Sequence, residues 1–145
     1  MIKLIIQFLL HLLKNKNDFK LDLQRDEEDA RDYVMSSQFS GSWFPVSYVI
    51  SDDNMGEKYN QLYLGSCVSN ALCSIHNYHT GSNNKYPFLI PSRLFVYYYS
   101  RFLNGNVDSD TGSSIRNALK ATNKYGFSSE RNRPYSPFKW NTKPS

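Results

Sequence analysis

Residues 61–67 read Gln-Leu-Tyr-Leu-Gly-Ser-Cys, and two of them could do chemistry together. Cys67 follows Gly65-Ser66 and opens a stretch with helical periodicity. On the first turn of a helix, unpaired backbone N–H groups and the positive dipole end favour a thiolate, the nucleophilic form of cysteine. Gln61 carries an amide able to donate a hydrogen bond back toward that helix start, and the Cys67 N–H points into the same space. A nucleophile with two such donors could attack a carbonyl and hold the oxyanion that forms. The competing reading is a cysteine packed as a small apolar residue, the usual fate of a lone Cys, beside a solvated loop glutamine.

Cys73, His76 and His79 raise the question of a metal. On one helix they are strung over roughly 9 Å, each turned about 60° from the last, and cannot converge on an ion with bonds near 2 Å. No metal and no other cofactor is expected. Cys67 and Cys73 are also roughly 9 Å apart along the helix, beyond the about 7 Å that a disulfide allows. Two free thiols favour a cytoplasmic or other reducing compartment over secretion.

The elements that must position these residues can be read from period and punctuation. Val68, Ala71, Leu72 and Ile75 fall at the spacing of one buried helix face, and Thr80-Gly81 supplies an end near His79. Ser92 can cap a second helix running through Leu103, with Leu94, Phe95, Tyr98 and Phe102 buried. A third helix is expected from Ser114 to Tyr125 on the stripe Ile115, Ala118, Leu119 and Thr122, stopped by Gly126. Residues 36–60 read as loop with a short strand near 46–50, and the Pro-, Ser- and Asn-rich tail as irregular structure.

The chain of 145 residues is long enough for one domain with a core, and 40% hydrophobic with 21% charged residues is a globular composition. The net charge of +4 has no basic stripe behind it, and the longest charged run, residues 25–32, is acidic, so a nucleic-acid partner is not expected. The apolar stretch from Leu4 to Leu13 is too short to span a bilayer, and Gln7 and His11 interrupt it. A core-docking or amphipathic helix is the preferred reading there, with membrane contact by residues 1–14 the less favoured one.

With these residues in view, Gln61-Leu-Tyr-Leu-Gly-Ser-Cys67 resembles the active-site segment of the papain-like cysteine peptidases. Ser92–Arg101 is similar to the family's second helix, Asp110-Thr111-Gly112 to its substrate-binding glycine segment, and 113–126 to the helix that follows. Pro134-Tyr135 matches the end of this region, and 22–35 resembles the arm preceding the catalytic region in a non-animal branch. The resemblance implies an α+β fold of which this chain carries the mainly helical left-hand domain, without the β-rich right-hand domain. It divides the chain into an N-terminal apolar or amphipathic segment (1–20), an extended arm with loops (21–60) and the helical domain (61–145).

It further implies peptide-bond hydrolysis through a thioester, with catalytic Cys67 and Gln61 and with Gly65, Ser66 and Gly112 binding a peptide or protein substrate. Val68 stands where an aromatic commonly follows the nucleophile, and Leu64 where secreted members keep a disulfide cysteine. The family's catalytic His and Asn come from the second domain, so the chain alone is expected to be inactive, as a fragment or truncated form. That domain, or a partner, is expected to cover an exposed apolar face. A catalytically dead peptide-binding or interaction module is the alternative.

Overall fold

The computed structural model describes residues 20–32, 58–83 and 89–145. The strand expected near 46–50 and the apolar segment 1–19 lie outside the described residues. Three α-helices occur among those described: α1 (Cys67–Asn83), α2 (Arg93–Phe102) and α3 (Ile115–Tyr125), followed by a 3-10 turn at Pro137–Lys139. All three pack against one another, so the described part of the chain is mainly helical. Among the described residues no helix is long and apolar enough to cross a membrane.

Local side-chain chemistry starts and stops these helices. The Ser92 hydroxyl accepts from the Phe95 N–H and starts α2, and the Ser114 hydroxyl accepts from the Asn117 N–H and starts α3. Gly126, at φ 72°, ends α3 by donating its N–H to Thr122. The end of α1 differs from expectation. Thr80 turns its hydroxyl back onto the His76 carbonyl, 2.9 Å away, and the helix continues through Gly81 to Asn83.

The buried face of α1 also corrects the sequence reading. Ser69, Asn70, Cys73 and Asn77 are enclosed, while Ala71 and Ile75 of the expected stripe are exposed. Small and polar side chains let α1 approach its neighbours closely, and most of their polar atoms find partners, Asn77 Oδ1 being an exception. Asn77 Nδ2 donates to the Tyr59 hydroxyl at 2.7 Å, Asn70 Nδ2 to the Ser66 carbonyl at 2.8 Å, and Ser69 Oγ to the same carbonyl at 2.9 Å. The apolar residues of α1 instead meet Ile115 and Leu119 of α3 along an open groove. Leu119 and Ile115 are thus half exposed, and Ala118 and Ala121 form the inner face of α3.

In α2 the last turn departs from expectation too. Phe102 is 47% exposed, and Arg101 takes the enclosed position beside it. Its guanidinium lies between the Tyr97 and Trp140 rings and donates to the carbonyls of Tyr97, Val107, Ser109 and Trp140. A buried arginine is tolerated because its donors are used. It ties down the loop after α2 that carries Asp110 and Gly112.

Candidate active site

Cys67 is the first residue of α1, the longest of the three helices, and is half-buried at the mouth of the apolar groove. The turn leading into it bends sharply. Leu62 sits in the left-handed region at φ 54°, with its N–H on the Asn60 side chain, and the Leu64 N–H returns to the Gln61 carbonyl. The Tyr135 hydroxyl braces this turn from behind, donating to the Gln61 carbonyl at 2.8 Å and lying 2.6 Å from Ser66 Oγ. Arg93 in turn stacks on the Tyr135 ring and pairs with Glu130 at 3.0 Å, and Glu130 accepts the Tyr135 N–H. Ser66 is therefore enclosed, its hydroxyl used by Tyr135 and Asn70.

The remaining candidate residues meet a single stretch of the chain, residues 20–24. Gln61 Nε2 donates to the Lys20 carbonyl at 2.8 Å and to the Leu64 carbonyl at 3.2 Å. Leu23 pairs in parallel with Ser113, and the Gln24 N–H donates to the Ser113 carbonyl. Leu23 and Cys67 line the same groove. Gly112, at φ 75°, lies so close under the Asp22 backbone that a Cβ there would sit 1.7 Å from the Asp22 carbonyl oxygen. A Cβ on Gly65 would come within 2.8 Å of the Asp22 carboxylate. Both glycines leave room for an extended strand, and the arm fills it.

Polar side chains facing inward hold the arm. Lys20 Nζ lies 2.7 Å from Asp22 and 2.9 Å from Asp110, and also donates to the Asp110 carbonyl. Burial works against the Lys20 ammonium, but hydrogen bonds to Asp22 and Asp110 outweigh it, so its pKa lies above the ordinary lysine value. Gln24 Nε2 donates to the Thr111 carbonyl at 2.9 Å. Asp26 accepts the Arg116 N–H on the first turn of α3, and Asp32 pairs with the Arg116 guanidinium at 2.6 Å. Leu21 and Leu23 remain largely exposed.

Sequence reasoning missed Asp110, Tyr97 and the bracing role of Tyr135. Asp110 accepts from the Tyr97 hydroxyl and from the Gly65 N–H at 3.1 Å, joining the two glycine segments. Burial, with Asp110 beside it, pushes the Tyr97 phenol up, so it stays a neutral donor. The readable signal for the arm was the alternation Lys20, Asp22, Gln24, Asp26, a period-2 polar face.

An uncharacterized peptidase C1-like protein of Acanthamoeba polyphaga mimivirus is 38% identical over 81 residues, covering 56% of this chain and 26% of its own. Xylellain, a cysteine protease from Xylella fastidiosa, superposes on 91% of the chain with a TM-score of 0.65 and 26% identity. The chain is related to the papain-like cysteine peptidases. It spans about a quarter of the viral relative (26%) and about half of xylellain (54%). No family model matches it. This half of a papain-like fold holds a cysteine at a helix start and a glutamine amide, but no described histidine that can reach them. His76 lies nine residues along α1, roughly 13 Å from Cys67, with its ring on Phe127.

Proposed function

We propose that the chain is the catalytic-cysteine half of a cysteine-type peptidase. Cys67 is the nucleophile, and Gln61 Nε2 with the Cys67 N–H forms the oxyanion hole. The observation that carries this reading is the hydrogen bond from Gln61 Nε2 to the Lys20 carbonyl at 2.8 Å, a peptide carbonyl seated on the oxyanion donor. Gly112 accommodates the backbone of an extended peptide, as it does that of Asp22. Acyl transfer from a peptide then proceeds by thiolate attack, departure of the amine and hydrolysis of the thioester.

Proton transfer to the leaving amine and from the deacylating water needs a base within about 3 Å. By resemblance, that histidine and its asparagine belong to a β-rich second domain, which covers the apolar groove between α1 and α3. The half-exposed Ile75, Ile115 and Leu119 support this placement. The 145 residues alone are silent, and residues 20–24 occupy the peptide track until displaced. This occupancy also favours a second reading, a peptide-binding module that has lost catalysis.

A fluorogenic peptide assay on the purified chain tests the proposal: no turnover is expected. Turnover abolished by Cys67→Ala would place a base within these residues, His11 foremost. The reading frame beyond codon 145 separates the two readings. A continuation carrying His and a later Asn supports the peptidase, and a sequence with no remnant of either supports the binding module.

A further inference from the structure

Lys20 does two things at once. Its carbonyl takes the Gln61 amide, and its ammonium reaches Asp110, 90 residues away in sequence. The pocket it enters is built rather than incidental. The Tyr97 hydroxyl and the Gly65 N–H hold one Asp110 oxygen, and the other, which the Gly65 N–H reaches at 3.3 Å, faces Lys20 at 2.9 Å. The Asp110 carbonyl faces the same ammonium. Arg101 fixes the preceding carbonyls of Val107 and Ser109, so the loop does not have to reorganise around an incoming charge. Gly65 presents no side chain toward the cup, where a Cβ would meet Asp110 at 3.2 Å.

We propose that Asp110, positioned by Tyr97 and Gly65, is a subsite for a cationic side chain, selecting peptides with lysine or arginine at the residue whose carbonyl meets Gln61. This rests on the reading of the groove as a peptide track. Asp22, the other carboxylate on Lys20, belongs to the arm and leaves with it, whereas Asp110 stays. Once the arm is displaced, one oxygen of a fixed carboxylate and the Asp110 carbonyl face the vacated position. A lysine or arginine restores charge-assisted hydrogen bonds there. A neutral side chain leaves the carboxylate without its cation, and an acidic one is repelled. The cup is partly open to solvent, so the selectivity is moderate, roughly three- to tenfold.

The test uses the full chain carrying Lys20→Glu, which sets two carboxylates against each other and releases the arm. Synthetic octapeptides copying residues 18–25 are supplied with lysine, norleucine or glutamate at the third position. The readout is protection of Cys67 from iodoacetamide, mapped by mass spectrometry. The lysine peptide is expected to protect at roughly three- to tenfold lower concentration than the norleucine peptide, and the glutamate peptide least. Asp110→Asn should bring lysine and norleucine together, with circular dichroism confirming its fold. Should that variant fail to fold, the lysine–norleucine comparison on the Asp110 chain still decides. Equal protection by lysine and norleucine overturns the cation subsite while leaving the peptide track standing. Protection by none of the three overturns the track itself and the subsite with it.

Discussion

The two faces of α1 are made of opposite materials. The inner face is Ser69, Asn70, Cys73 and Asn77, all enclosed, and the outer face is Ala71, Leu72 and Ile75, bordering an open groove of about 290 Å³. A helix of a self-sufficient domain places its apolar stripe inward. Here the apolar stripe points where, on the proposed reading, a second domain packs. The polar stripe is buried by virtue of its small volume and the hydrogen bonds of Ser69, Asn70 and the Asn77 amide nitrogen. The two cysteines sample this difference: Cys67 is half-buried at the groove mouth, and Cys73 is enclosed. Burial, with Glu130 nearby, pushes the Cys73 thiol up to about 12.

The largest expected effect is on thiol chemistry. At pH 8, a thiol near 12 is ionised in roughly one molecule in ten thousand. Iodoacetamide should therefore modify Cys67 at least about a hundredfold faster than Cys73 in the folded chain, and the two rates should converge in denaturant. Preferential labelling of Cys73 would show that the faces have been assigned the wrong way round.

Adjacent residues of α3 sharpen the same contrast. Ala118 is fully enclosed and Leu119 half exposed. Ala118→Leu should lower unfolding free energy by about 1–3 kcal/mol through overpacking. Leu119→Gln should change it by no more than about 0.5 kcal/mol, while reducing binding of a hydrophobic dye. Chemical denaturation of the three proteins, with dye fluorescence alongside, checks both. A large loss in Leu119→Gln would mean that the groove closes on itself in solution.

Gly112→Ala probes how the arm is held. The new Cβ would collide with the Asp22 carbonyl and strain a backbone at φ 75°, so the arm should leave its track. Faster labelling of Cys67, with the melt of the helices little changed, is the expected result. Unchanged labelling would mean that the arm does not shield the cysteine.

The smallest effect concerns the far end of the arm. Hydrogen bonds from Arg116 and Arg31 hold the Asp32 and Asp29 carboxyls, respectively, below the usual carboxylate range. A depressed folded value means that this contribution is complete above the ordinary value of 3.8 and is lost as pH falls through the depressed one. Amide-exchange protection of residues 22–32, corrected for intrinsic rates, should therefore hold from neutral pH to about 4 and decline below it. Arg116→Ala should weaken it at neutral pH and make little difference once the carboxyls are protonated. Protection already lost at pH 6 would assign the latch to other groups.

The sequence by itself determined what depends on neighbours a few residues away. Ser92 and Ser114 cap because a hydroxyl reaches the N–H three residues on, and Gly126 ends α3 because it alone adopts the left-handed turn cheaply. The Gln61-to-Cys67 spacing is local in the same sense and was legible at once. Tertiary structure decided the rest. Periodicity marks a stripe as apolar without saying whether this chain or another covers it, so Val68 is buried as expected while Ala71 and Ile75 of the same stripe are exposed. The Lys20–Asp110 contact joins residues 90 apart, and no spacing rule reports which lysine among many meets which aspartate. Only packing of the Tyr97 hydroxyl and the Gly65 N–H onto Asp110 turns that carboxylate into a site.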